Sequence, residues 1–223
     1  MLEEKMLEEE EEKINLNVII LGDKGVGKSS IIQIIKNGEI KEHSNDLKDN
    51  NGNFILKRKY EKKKKIILLH LKEPEYQQIL GDNIPIQYYR DSHIVLLVFC
   101  DIKTLNSIKD SWYKSYKEKA NIKNSRFILI GNKSDTFGDN KKEIEKQGNK
   151  FAEEIDAQFL MCSTNSEDNK DNLDRYITTE AKRYIDEEEK DEYVIQKSQS
   201  FKVRYDDNNA VSKPCGGCRR QIY

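Results

Sequence analysis

The stretch INLNVIILGDKGVGKSSIIQIIK, residues 14–36, decides the fold. Residues 14–21 are mostly aliphatic and β-branched and read as a buried strand. Glycines interrupt the chain over residues 22–28, and SSIIQIIK, residues 29–36, then carries apolar residues at helical spacing. Strand, glycine loop and helix in that order open an α/β unit. Inside it, GDKGVGKS (residues 22–29) satisfies G-x-x-x-x-G-K-[ST] at every position, between the strand and the helix that its mechanism requires. Glycine lets the backbone wrap closely around phosphate. The amides of Gly25, Val26, Gly27, Lys28 and Ser29 are expected to point inward, where the helix N-terminus adds positive potential. Lys28 is then assigned to the β- and γ-phosphates, the Ser29 hydroxyl to Mg²⁺, and Ser30 towards the α-phosphate. The loop specifies a nucleoside triphosphate without saying which one.

Working outward, the chain alternates strand and helix signals. Residues 53–60 and 65–71 read as two strands around a lysine-rich turn. Residues 94–100 (IVLLVFC) read as a short, fully apolar central strand, 104–119 as a helix carrying Trp112, and 127–131 (FILIG) as a buried strand. A helix is expected over 141–156, with Ile144, Phe151, Ala152 and Ile155 facing the core, and a last strand over 159–162 (FLMC). A last helix over 172–188 places Leu173, Tyr176, Ile177, Ala181, Tyr184 and Ile185 at i, i+3, i+4 spacing. Strands separated by helices predict a mainly parallel sheet covered on both faces.

The flanks are of different composition. Residues 1–13 hold seven Glu and two Lys and read as a solvated acidic extension. Residues 57–65 hold seven basic residues and one acid, either a solvated hairpin or a contact for an anionic membrane or acidic partner. Residues 189–223 lose apolar periodicity and read as a flexible tail with an r.m.s. span of roughly 35 Å. The expected organisation is therefore 1–13, a folded domain over 14–188, and the tail.

Composition narrows the function classes. The 223 residues include 39 Lys+Arg and 40 Asp+Glu, a formal charge of −1, which argues against a dedicated nucleic-acid binder. The longest buried-looking apolar run, seven residues from Ile94, is far short of the roughly 20 needed to span a bilayer. The acidic start is unlike a signal peptide, and four cysteines do not suggest a disulfide framework. A cytoplasmic protein is expected, peripheral at most on a membrane. His43, His70 and His93 show no metal-ligand spacing, and one C-x-x-C supplies only two zinc ligands.

NKSD, residues 132–135, follows FILIG directly. Asn-Lys-x-Asp in that place is the guanine-reading motif of small GTPases. The Asp135 carboxylate can accept from guanine N1–H and the 2-amino group, which adenine does not present in that arrangement. Lys133 can lay its aliphatic stem along the base, and Asn132 can tie this loop to the phosphate loop. Ser163, Thr164 and Asn165 after FLMC resemble the Ser-Ala-Lys loop of the same proteins, whose backbone amide meets the guanine oxygen. Ser163 is kept, while Thr164 and Asn165 depart from the pattern.

With LGDKGVGKSS, YYRDSHIVLLVFCD (residues 88–101), Trp112, GNKSD, KFAEEI and FLMCS in this order, the chain resembles the Rab-like branch of the Ras superfamily over about residues 14–187. The resemblance implies a P-loop NTPase G domain: a six-stranded, mostly parallel sheet flanked by five helices on both faces. It implies GTP/GDP and Mg²⁺ binding, slow GTP hydrolysis, and exchange-factor, GTPase-activator and effector partners around a monomer in vesicle traffic. Three departures bear on the switch. Ser44 is the only Ser or Thr between Ser30 and Tyr60, whereas the family's Mg²⁺-ligating Thr would fall near residues 47–50. Glu73 stands where an Asp holds an Mg²⁺-bound water, and Tyr76 stands where a Gly lets its amide reach the γ-phosphate, although Gln77 stands where Gln orients the attacking water. Lys24 replaces a small residue of the phosphate loop and would crowd an arginine finger or supply charge itself. The alternative these departures raise is a pseudo-GTPase scaffold that binds nucleotide without switching. A further P-loop class, small-molecule kinases, is disfavoured by Asn132 to Asp135. Near the end, Cys215 and Cys218 are candidates for the paired prenyl groups of Rab-like proteins, although Arg220 occupies the fourth position from the end, where a CaaX signal needs cysteine.

Overall fold

The computed structural model describes residues 12–37, 54–72, 86–121, 124–163 and 168–209. They form a six-stranded sheet in the order β2-β3-β1-β4-β5-β6. The strands are β1 (Glu12–Leu21), β2 (Phe54–Tyr60), β3 (Lys65–Lys72), β4 (Ile94–Phe99), β5 (Arg126–Gly131) and β6 (Ala157–Met161). Only the β2–β3 pair is antiparallel; β1 lies parallel between β3 and β4, and β5 and β6 continue parallel beyond β4. The helices are α1 (Lys28–Asn37), the single turn α2 (Ile86–Tyr89), α3 (Ile102–Ser107), α4 (Tyr113–Lys119), α5 (Lys141–Glu154) and α6 (Asp168–Asn209). A π-helical turn, Ile108–Trp112, joins α3 to α4, so 102–119 is one continuous helical segment, one of five α-helical segments among the described residues.

The β4 and β5 residues are buried at every position, as expected of central parallel strands covered on both faces. Alternate side chains point to opposite faces. Ile19, Leu21, Val95, Leu97, Phe99, Phe127 and Leu129 form one cluster with Leu105, Ile108 and Tyr116 of the 102–119 segment and with Ile144 and Phe151 of α5. The alternate residues Val18, Ile20, Leu96, Val98, Ile128 and Ile130 are equally buried. Buried Ile31 and Ile35 of α1, and Leu173, Ile177 and Ala181 of α6, lie outside the first cluster.

Several element bounds differ from the sequence reading. β1 starts at Glu12, two residues before the expected boundary at 14, because its register with β3 reaches Lys65. The 102–119 segment starts earlier than expected, since Asp101 caps it: its carboxylate accepts from the Thr104 amide at 2.7 Å while Thr104 Oγ1 accepts from the Asp101 amide at 3.0 Å. β6 takes up Ala157 and Gln158 and leaves Cys162 just past its end. α6 continues to Asn209, 21 residues past the expected stop at 188. Helix formation needs no apolar stripe where Glu, Lys, Gln and Asp follow one another without proline or glycine. The chain divides into two compact units at Tyr184 and Ile185, Met1–Tyr184 and Ile185–Tyr223. No helix among the described residues is long and apolar enough to cross a membrane.

His93, between α2 and β4, accepts the Asn17 amide at Nδ1 at 2.8 Å and sets its ring edge-on to Tyr184 at 5.0 Å. Burial lowers its pKa below the ordinary value, with the Asp91 carboxylate opposing and Lys72 reinforcing the shift. The unfolded chain protonates this imidazole at about pH 6.5, before the folded chain does. Stability contributed by His93 is therefore complete above that pH and is lost as pH falls from there through the lower folded value. The melting temperature should fall between pH 7.5 and 5.5, and fall less steeply in His93→Gln. Parallel pH profiles for the two proteins would exclude His93 as the titrating group.

Candidate functional site

In a parallel sheet the strands deliver their following loops to one edge, and ligands of such sheets collect there, where the strand order reverses. Here the reversal is at β1, whose neighbours are β3 and β4. The loop after β1 (22–27), Cys100 and Asp101 after β4, residues 132–137 after β5, and Cys162 and Ser163 after β6 all leave the sheet at this carboxyl edge.

The 22–27 loop is shaped by close backbone approaches. Gly22 has φ of 146°, and a Cβ there would meet the Val98 carbonyl oxygen at 2.2 Å. Gly27 has φ of 97°, and its Cβ would meet Asn132 Nδ2 at 2.2 Å. Neither position accepts a side chain without moving backbone or a buried amide. Lys28 Nζ donates to the carbonyls of Gly22 at 2.9 Å and Asp23 at 2.8 Å, holding its ammonium over the loop. Val26 is fully buried, whereas Lys24, Gly25 and Ser29 are exposed and Ser30 is half-buried.

Asn132 joins this loop to the one after β5. It is fully buried. Its Nδ2 donates to the Val26 carbonyl at 2.9 Å, its own amide donates to the Phe99 carbonyl at 2.8 Å, and its Oδ1 accepts the Cys162 thiol at 3.7 Å. Burial pushes the Cys162 thiol up to about 12, so it stays a donor. Lys133, held at φ of 60°, donates from Nζ to the Gly25 carbonyl at 2.7 Å. The Ser134 amide donates to the Cys162 carbonyl at 2.9 Å, which draws in the loop after β6. Asp135 is exposed and Ser163 is buried. The expected binding residues from Gly25 to Ser30, and Asn132, Lys133, Asp135 and Ser163, thus gather on one edge of the sheet. Thr164, Asn165, Glu73, Gln77, Ser44, Cys215 and Cys218 lie outside the described residues.

Sequence reasoning left Asp23 without a role. Its Oδ1 accepts two hydrogen bonds at 2.7 Å, from Ser107 Oγ and from Trp112 Nε1. Residues five apart lie about 140° apart around a regular α-helix. The π turn over Ile108–Trp112 closes that angle and lets both donors meet one oxygen. The lone tryptophan of the chain was the available signal, but the π turn that aims it has no sequence signature. A cavity of about 420 Å³ bordered by Cys100, Asp101, Lys133, Thr136, Phe137 and Asn140 lies against the loop after β5, and no residue of the 22–29 loop lines it.

Comparison with known proteins agrees with this geometry. The Ras family model matches residues 17–183, three quarters of the chain. RABG1 of Arabidopsis thaliana is 26% identical over 142 residues, covering 61% of this chain and 67% of the relative. Rab7 of Pisum sativum is 28% identical over 137 residues, covering 59% and 64%. RABG3b of Arabidopsis thaliana is 25% identical over 210 residues, 91% and 95%. The first two alignments thus span about two thirds of the relatives' length, the third nearly all of it. The chain belongs to the Ras family, as a Rab-like small GTPase. Its fold is that of the P-loop G domain, whose members bind GTP or GDP with Mg²⁺.

Asn132→Ala should cost about 1–3 kcal/mol in urea unfolding, since the Val26 carbonyl and the Cys162 thiol lose a buried partner together. Trp112→Phe, which removes one of two donors from a charged acceptor, should cost about 1.5 kcal/mol.

Proposed function

We propose that the chain binds guanine nucleotide at the carboxyl edge of its sheet and acts as a Rab-type GTPase of vesicle traffic with slow hydrolysis. The observation that carries this reading is the Asn132 side chain. Its hydrogen bond to the Val26 carbonyl holds the loop after β5 and the 22–27 loop together. The residues fit a nucleotide with Mg²⁺: a Cβ-free turn at Gly27, the N-terminus of α1 directly after it, and an ammonium already directed over the loop.

In this reading Gly25, Val26, Gly27, Lys28, Ser29 and Ser30 bind phosphate, with Lys28 exchanging its carbonyl acceptors for phosphate oxygens. Asp135 accepts from the guanine edge, Lys133 covers the base, and Ser163, Thr164 and Asn165 bring an amide to the guanine oxygen. The Ser29 hydroxyl holds Mg²⁺, with Glu73 acting through water. Mg²⁺ held there would neutralise phosphate charge. Gln77 orients the attacking water, but Tyr76 beside it removes the glycine whose amide closes on the γ-phosphate. Intrinsic hydrolysis is therefore expected at or below the order of 10⁻⁴ s⁻¹. The same substitution favours the second reading, a scaffold that binds nucleotide without switching partners. The domain extends over 14–188 together with Glu12 and Lys13, which start β1, with an acidic extension before it and a tail after it. In that tail Cys215 and Cys218 carry lipid and hold the protein on the cytosolic face of endomembranes. Exchange factors, activators and effectors are its partners, and the domain acts as a monomer.

The deciding experiment is chromatography of the nucleotide released on denaturing the purified protein. About one guanine nucleotide per chain is expected, with GTP predominating if hydrolysis is crippled. Adenine nucleotide would overturn the base assignment. Asp135→Ala should weaken GTP binding by at least a hundredfold, because a buried guanine edge is left without its acceptor. Single-turnover hydrolysis well above 10⁻⁴ s⁻¹ would refute the impaired switch, and equal partner affinity in the GDP and GTP forms would establish the scaffold.

A further inference from the structure

The strongest feature that this function leaves unused is at the opposite edge of the sheet. β3 is parallel to β1, so the β2–β3 hairpin turns at the amino edge, away from the nucleotide-binding loops. Seven of the nine residues from 57 to 65 are basic and one is acidic. Tyr60 is buried there, with the ammonium groups of Lys63 and Lys182 each 5.5 Å from its ring centre. Arg58 is turned back to Asp174 of α6, its Nε at 2.9 Å from the carboxylate. Lys57, Lys59, Lys62 and Lys64 are exposed. Like charges this dense repel one another and attract any anionic surface within a Debye length, about 8 Å at physiological salt.

The chain itself delivers such a surface. β1 begins at Glu12, whose register partner is Lys65, and Glu12 Oε1 accepts from Lys65 Nζ at 3.1 Å. Glu8, Glu9, Glu10 and Glu11 immediately precede that ion pair. An extended chain spans at most about 3.6 Å per residue, so four residues reach no further than about 14 Å from the Glu12 anchor. We propose that Glu8, Glu9, Glu10 and Glu11 dock on the basic β2–β3 hairpin and screen it from other anionic partners. The occupant is thus the chain's own acidic segment, tethered at an ion pair already formed. Its attraction is Coulombic and falls with salt, and an anionic membrane must displace it to reach the lysines.

Carbodiimide coupling of carboxylates to lysines, followed by peptide mapping, tests the contact on the full-length protein. At about 50 mM NaCl the amide links from residues 8–11 should concentrate on Lys57, Lys59, Lys62 and Lys64, and fall several-fold at about 0.5 M NaCl, where the Debye length is only a few ångströms. Links spread over α5 lysines, or a hairpin yield that salt leaves unchanged, would reduce the contact to tethering and overturn the proposal. Flotation with vesicles of phosphatidylcholine and phosphatidylserine, using unlipidated protein, tests the screening. Replacing Glu8, Glu9, Glu10 and Glu11 by Gln should tighten binding about tenfold. A control with Gln at the exposed Glu143, Glu145, Glu153 and Glu154 of α5 makes the same change in net charge. An equal gain in the control, or native protein that already binds as tightly as the 8–11 variant, would show the hairpin open to lipid and defeat the proposal.

Discussion

The carboxyl edge of the sheet depends on one side-chain amide. Parallel strands deliver their loops to a common edge but do not hold those loops to one another. Asn132 does so by reaching from the end of β5 to the Val26 carbonyl, with its oxygen occupied by Cys162 from the end of β6. A buried amide with both ends engaged fixes the spacing between three loops, and leaving either end unmet would cost more than the bond contributes. The absence of a Cβ at Gly27 follows from this, since that atom would lie 2.2 Å from the amide nitrogen. The glycine loop at 22–27 and the tetrapeptide at 132–135 are thus two halves of a single geometric requirement.

A second tie acts on the loop from its other side. Asp23 is held through its carboxylate by Ser107 and Trp112, while its carbonyl accepts from Lys28. The first turn of the loop is therefore coupled to the 102–119 segment. A contact that reshapes the π turn would reach the loop through two hydrogen bonds and without crossing the core.

Much of the fold was legible because the buried strands are short runs of β-branched and aliphatic residues punctuated by glycine or polar clusters. FILIG and IVLLVFC became β5 and β4 within a residue or two. The motifs at the site were legible because each must be contiguous to work. What stayed hidden depends on contacts distant in sequence. Cys162 read only as the end of a strand. Gly148 in the middle of α5 reads as a weak helix position, yet a Cβ there would meet the Phe159 ring at 2.5 Å, so glycine is what lets α5 approach β6. The extent of α6 was missed because a polar helix has no periodicity to betray it, and the roles of Glu73 and Gln77 rest on sequence alone.

The chemistry of Cys162 has a redox consequence. Oxidants and electrophiles attack thiolates, and a thiol buried to 1% exposure with its pKa near 12 presents almost none at neutral pH. The tie between the base loop and the last strand is thus made with sulfur yet gives peroxide no handle. Cys100, half-buried at the same edge with a thiol also raised by burial, is the more accessible of the two free cysteines among the described residues. Oxidative damage to this edge would therefore begin at the end of β4 and leave the joint between the loops intact.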